Sequence, residues 1–175
     1  MIGLKFWRAR LFVDRRATAS IEFAIVALPF LALIFAALQL SVIYFCTQAL
    51  ETFTESNSRQ ILVGLIQQQN LNATQYKAQL CAKLPNLFNC SKFFVDVVST
   101  SAFANANTAL PTLTFDGNGN VTNSWNFNPG TPGDIVIVRM LYQWSVFNLP
   151  FGLNLINQTN GSRLLMATSV FKNEP

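Results

Sequence analysis

The sequence predicts an α+β protein, a long N-terminal helix packed on an antiparallel β-sheet. Three features carry this expectation. Ile21 to Phe45 is a nearly unbroken apolar run. Thr47 to Gln69 contains no proline and keeps apolar residues at helical spacing. The C-terminal half holds strand-like alternation separated by Pro/Gly/Asn clusters. Hydrophobic residues make up 51% and charged residues 11% of the 175. The charged share is well below the roughly 25% of a soluble domain, so the composition points to a membrane. The length allows one domain plus an anchor.

The net charge of +4 is not a nucleic-acid footprint. Lys5, Arg8, Arg10, Arg15 and Arg16 stand against Asp14 before the apolar run. In the remainder of the chain, Glu22 of the run included, seven basic residues balance seven acidic ones. All the excess charge therefore lies on one flank, which the positive-inside rule puts in the cytoplasm.

Met1 to Arg16 reads as a basic leader or interfacial tail. The apolar run has Glu22, Gln39 and Ser41 as its clearly polar members. A helix of about 25 residues crosses a ~30 Å hydrocarbon core with some tilt. Pro29 removes one backbone bond, which membrane helices tolerate. The run is too long for a secretory signal, and no small-x-small site ends it. In Thr47–Gln69, Leu50, Phe53, Ile61 and Leu65 share one stripe, and Glu51, Glu55 and Arg59 another. One continuous helix is expected, membrane-spanning at first and amphipathic after.

Thr74 to Leu84 predicts a short helix with a Thr cap, ended by Pro85. Lys92 to Thr100 predicts a strand. Residues 99–111 read as an exposed loop. Leu113–Phe115 and Val121–Ser124 flank a turn at Asp116–Asn120 and predict a hairpin. Asn128 to Gly133 is a second turn cluster. Asp134 to Phe147 is the strongest strand, with Val136, Val138, Met140, Tyr142, Trp144 and Val146 on one apolar face and a mixed face opposite. Ser162 to Lys172 is a last strand, apolar enough on both faces to be central.

Candidate chemistry is sparse. There is no histidine, the carboxylates are scattered and no phosphate loop follows a strand. No catalytic site, metal or cofactor is expected. Asp116-x-Asn118-x-Asn120 copies half a calcium loop but lacks the glycine and the distal acid, so it reads as a turn. The Asn-x-Ser/Thr matches are what an Asn-rich chain produces by chance. Cys46 reads as a small apolar filler. Cys81 and Cys90 are the natural disulfide pair in an oxidising compartment, with two free thiols as the alternative.

The stretch Arg15-Arg16-Ala17-Thr18-Ala19-Ser20-Ile21-Glu22-Phe23-Ala24, with Pro29 beyond it, resembles the processing site of type IV pilin-like precursors. Within them it is most similar to the TadE/TadG-like pseudopilins of the tight-adherence (Tad, Flp) pilus. Gly133 to Tyr142 and Gly161 to Pro175, with the closing Asn173-Glu174-Pro175, resemble that family's last strands. The resemblance is weak in the middle of the chain. It departs at Ala17, where the family usually has Gly.

The resemblance implies a pilin-like fold and cleavage between Ala17 and Thr18 by a prepilin peptidase. It makes Glu22, followed by Phe23, the fifth-position assembly carboxylate, paired with a free mature N-terminus. Without cleavage, Glu22 would pair with Arg15 or Arg16. The implied organisation is a cytoplasmic leader (1–17), a transmembrane helix (18–46), a periplasmic continuation (47–70) and a periplasmic α+β domain (71–175). The implied partners are the peptidase, sibling pseudopilins, the major Flp-type pilin, the inner-membrane assembly platform and the lipid bilayer. The role implied is that of a minor pseudopilin in pilus assembly or initiation. The alternatives are an unprocessed single-span envelope scaffold and a membrane-tethered enzyme or ligand-binding domain.

Overall fold

Helix α1 spans Thr18–Leu62, 45 residues with Pro29 inside it, in a computed structural model that describes residues 18–146 and 154–174. The leader 1–17 and Phe147 of the expected strand lie outside the described residues. The chain divides into two compact units, and α1 passes from one to the other between Val42 and Ile43.

In the first unit the helix shows its apolar side chains outward. Ile21, Ile25, Val26, Leu28, Leu33 and Phe35 are each 59–67% exposed. A core helix of a soluble protein would hide these groups. Ser20–Leu62 is the one helix among the described residues long and apolar enough to cross a membrane. The exposure and the length are those of an anchoring segment.

In the second unit α1 turns amphipathic and packs on the sheet. Ile43, Cys46, Leu50, Phe53 and Ile61 join Phe93, Val97, Val136, Val138, Met140 and Tyr142 in one core cluster. Glu51, Glu55 and Arg59 stay exposed, as their stripe predicts. The helix does not run on to Gln69. It stops at Leu62, Gly64 takes a left-handed φ of 75°, and a single turn, α2 (Leu65–Gln68), follows. Glycine adopts that backbone without a Cβ clash, and this ends the helix. The break also moves the register, so Ile66 is buried where Leu65 was expected, and Leu65 is exposed.

Helix α3 covers Ala73–Lys83. Its cap is Asn72 and not Thr74: the Asn72 carboxamide accepts from Gln75 N–H, and the Gln75 side chain accepts from Asn72 N–H. This capping box satisfies two helix-end donors at once. Tyr76 and Leu80 face the core.

The sheet has the order β1–β2–β3, with β1 Phe93–Thr100, β2 Ile135–Ser145 and β3 Ser162–Lys172. Both pairings are antiparallel, from Phe93↔Tyr142 to Thr100↔Ile135 and from Ile135↔Lys172 to Ser145↔Ser162. β2 is therefore central, and β3, expected there, is an edge strand. The apolar sequence of β3 reflects cover mainly over its first half; Thr168 and Val170 are exposed, and Phe171 packs partly buried on the core. The Asn157 side chain closes part of the free edge by accepting from Leu164 N–H and donating to its carbonyl.

The middle of the chain forms no further strand. Phe115 and Val121 make one antiparallel bridge, and Val97 and Phe127 one parallel bridge beside β1. The expected hairpin is thus a turn with a single rung. Its side chains cover the second sheet face: Leu113, Phe115, Val121 and Trp125 pack on Leu141, Leu164, Phe94 and Met166.

Candidate functional site

Two regions carry the residues singled out by the sequence: the start of α1, and the places where α1 and α3 end. At the start, Glu22 is exposed on the early turns of α1 beside Phe23, itself 74% exposed. Ile21, Ile25 and Val26 surround it with apolar surface. No described residue forms an ion pair with it. A carboxylate in such a sleeve is tolerable in lipid where a cation meets it. Ala17, Arg15 and Arg16 lie outside the described residues, and Thr18 is the first residue of the helix.

At the end of α3, Cys81 and Cys90 form a disulfide with a Cα–Cα distance of 5.5 Å. It ties α3 to the 3-10 turn Cys90–Lys92 that leads into β1. The loop it closes is seated by Phe88, whose ring meets Tyr142 edge-on at 4.8 Å. Asn89 N–H donates to the Tyr142 hydroxyl at 3.1 Å. Cys46 is wholly buried in the core.

The end of α1 is latched by the C-terminus. Glu174 N–H donates to the Leu62 carbonyl at 3.0 Å, Asn173 N–H to the Asp134 carbonyl at 2.8 Å, and Gly133 N–H to the Asn173 carbonyl at 3.1 Å. The Asn173 amide reaches Pro129 and Thr131, and the Gln67 amide reaches Ile61 and Pro129. Asn173-Glu174 thus joins the helix end to the 128–134 turn. Asn173 carried a signal in the sequence through the Asn-Glu-Pro ending. Gln67 carried none, sitting in a run of three glutamines.

Among the described residues no three His, Cys, Asp or Glu side chains gather to hold a metal. The Asp116 carboxylate is spent on its own turn, accepting from Asn118 N–H, Asn120 N–H and Asn120 Nδ2. Those bonds, led by the Asn120 side chain, hold its carboxyl below the usual value. Burial raises the Tyr76 hydroxyl well above its ordinary value and lowers Lys77. The Lys77 ammonium lies 5.2 Å from the centre of the Phe94 ring.

The family model described as TadE-like protein matches residues 17–54. The match begins at Ala17, takes in Thr18, Glu22, Phe23 and Pro29, and ends on α1 at Thr54. Over this stretch the chain is similar to the TadE-like family, in agreement with the resemblance read on Arg15 to Ala24. No curated protein and no solved structure matches the chain.

Proposed function

We propose that this protein is a TadE-like minor pseudopilin that takes part in assembling or initiating a tight-adherence pilus. The observation that carries the reading is Glu22, five residues after Ala17, on an exposed apolar helix inside the TadE-like match. In this reading residues 1–17 are a cytoplasmic leader and α1 anchors the chain in the bacterial inner membrane. The rest of the chain lies in the periplasm, where the Cys81–Cys90 disulfide suits an oxidising compartment. A prepilin peptidase hydrolyses the Ala17–Thr18 peptide bond. Water adds across it, leaving a carboxylate on Ala17 and an α-amine on Thr18. That amine, as an ammonium of the same or a neighbouring subunit, meets the Glu22 carboxylate and makes its place in lipid affordable. The partners are sibling pseudopilins, the major pilin and the inner-membrane platform. The protein has no catalytic role of its own.

One observation favours a second reading. Ala17 stands where the family usually has Gly. If the bond stays intact, Glu22 pairs with Arg15 or Arg16 and the chain is an unprocessed single-span scaffold.

Mass spectrometry of the protein from its native host separates the two. A mature N-terminus at Thr18, lost in a peptidase deletion, supports the pseudopilin. An intact Met1 in cells with active peptidase removes it in favour of the scaffold. A Glu22→Ala strain that still assembles pili at the wild-type level would remove the assembly role of the carboxylate.

A further inference from the structure

The second face of the sheet is apolar where Trp125 and its neighbours cover it and polar beyond them. Leu141 and Leu164 lie in the covered part. Side chains alternate along a strand, so Gln143 and Ser145 continue the Leu141 face of β2. The register sets Gln143 opposite Leu164 and Ser145 opposite Ser162. Lys92, just before β1, donates from Nζ to Ser145 Oγ at 2.8 Å. Gln143 Nε2 donates to Ser162 Oγ at 3.3 Å, and Ser162 Oγ donates to Asn160 Oδ1 at 2.6 Å. Asn160 Nδ2 then donates to the Gly119 carbonyl at 3.1 Å. These bonds hold the 116–121 turn over the polar end of the sheet. Between turn and sheet lies an open cleft of about 400 Å³, lined by all of these side chains and by Asn118 and Phe94.

The cleft has free polar groups of both kinds. Lys92 keeps two of its three protons, and no described residue donates to Gln143 Oε1 or bonds to the Asn118 carboxamide. Asn118 is exposed, Lys92 and Gln143 are half-buried, and Gln143 Oε1 is not closed off from solvent. Lys92 is the one charged residue in the lining. Among the described residues the one ion pair is Asp96–Arg139, so the Lys92 charge has no carboxylate partner. Lys77, with its ammonium 5.2 Å from the centre of the Phe94 ring, adds positive charge behind the floor.

This chemistry selects among ligands. The volume is that of a small-molecule site, about 300–1,000 Å³. Mixed amide donors and acceptors fit groups that themselves donate and accept, as sugar hydroxyls do. Phe94 and Val121 offer a small apolar surface to ring C–H groups. The unpaired ammonium calls for a carboxylate, which accepts a charge-assisted bond. A bare phosphate is served poorly, because the turn has no backbone donors left to cradle it. Gly119 N–H is spent on the Asp116 carbonyl, and Asn118 N–H and Asn120 N–H on Asp116 Oδ1.

We propose that this cleft binds a saccharide unit that bears a carboxylate, part of an acidic glycan. Lys92 pairs with the carboxylate, and Gln143 Oε1 and the Asn118 carboxamide bond to ring hydroxyls. One charge pair and a few neutral bonds make the site weak, with a Kd on the order of 1 mM. The site needs no cleavage at Ala17 and stands independently of the pilus reading.

The test uses the full-length chain, labelled with ¹⁵N at Asn and Gln, in micelles of a zwitterionic detergent without a sugar headgroup. The probe is a trimer of galacturonic acid, titrated at constant ionic strength. The side-chain NH₂ signals of Asn118 and Gln143 should shift together and saturate near 1 mM, roughly. The uncharged galactose trimer should bind about tenfold more weakly, and Lys92→Gln should weaken the acidic trimer by about as much and leave the neutral one unchanged. Asn118→Ala, on the exposed turn, should weaken both trimers by about threefold. No saturable shift by roughly 20 mM, equal binding of the two trimers, or an unchanged midpoint in Lys92→Gln would overturn the proposal. The same shifts produced by inorganic phosphate at the same concentration would also overturn it, in favour of a plain anion site.

Discussion

Asp96 and Arg139 face each other across the β1–β2 pair and form an ion pair in which the Asp96 side chain is 3% and the Arg139 side chain 13% exposed. Arg139 Nε and Nη2 both donate to Asp96 Oδ2. Asp96 Oδ1 accepts from Asn126 N–H at 2.8 Å, and Arg139 Nη1 donates to the Ala109 carbonyl at 3.3 Å. The pair therefore ties the strand-poor middle of the chain to the sheet. Arg139→Met strands a buried carboxylate and should cost about 3 kcal/mol. The double variant Asp96→Asn/Arg139→Met should recover part of that loss, because no charge is left unpaired. Urea unfolding of the three proteins, followed by tryptophan fluorescence, measures both. A single variant as stable as wild type would show the pair to be dispensable.

The Cys81–Cys90 disulfide closes a short loop, with a sequence separation of 9. Cys81→Ser/Cys90→Ser should lower stability by about 3 kcal/mol in the chain-entropy picture. Reductant should lower the wild-type Tm toward that of the double variant and leave the variant unchanged. A Tm insensitive to reductant would contradict a stabilising bridge.

Gly130 and Gly133 both have positive φ, 68° and 88°, in the turn that the C-terminus grips. They differ in their surroundings. A Cβ on Gly130 would lie 3.0 Å from the Ser99 Cβ and 3.1 Å from the Asp134 Cβ, whereas a Cβ on Gly133 meets nothing within 4 Å. Gly133→Ala should cost only the left-handed backbone penalty, about 1–2 kcal/mol. Gly130→Ala should cost clearly more, because both neighbours must move. Thermal melts of the two variants check the order, and a reversed order would refute this packing of the turn.

Acid should loosen the same turn. Thr131 N–H and Oγ1 both donate to Asp134 Oδ2 at 2.8 Å, and these bonds, the backbone one first, hold its carboxyl below the ordinary value. A pKa lower in the folded than in the unfolded state contributes stability above the unfolded value, about 3.9. That contribution is lost as pH falls through the lower folded value. Asp116 behaves in the same way through Asn120. Tm should be level near neutrality and fall in acid below about pH 4. Asp134→Asn should show a shallower acid fall. An identical acid limb in that variant would remove Asp134 as a contributor.

The sequence made the helices and strands legible because their signals are local. The apolar run to Phe45 and the alternation from Val136 to Val146 belong to single segments, and each has one periodicity. The start of β3 at Ser162 and its end at Lys172 are as the turn residues predict. Strand order was not legible in the same way. The apolar residues of β3 imply cover on both faces, but cover does not say which strand lies in the middle. β2 took that place by pairing on both of its edges. Gly64, whose left-handed backbone ends α1, was visible as a residue, but the cover of that helix end by the C-terminal segment, whose Glu174 N–H satisfies the Leu62 carbonyl, was not.

By itself, the sequence determined that this protein is a long apolar helix joined to an antiparallel sheet. It also placed one carboxylate, Glu22, at the foot of that helix. Hydrophobic spacing and charge placement are properties of a chain read in one dimension. The tertiary structure alone decided that Leu113, Phe115, Val121 and Trp125 cover the second face of the sheet. It alone brought Gln67 and Asn173, far apart in sequence, to the Pro129 carbonyl. These are contacts between distant segments, and their partners are chosen by packing and by the need to pair every buried backbone group, which no local pattern records.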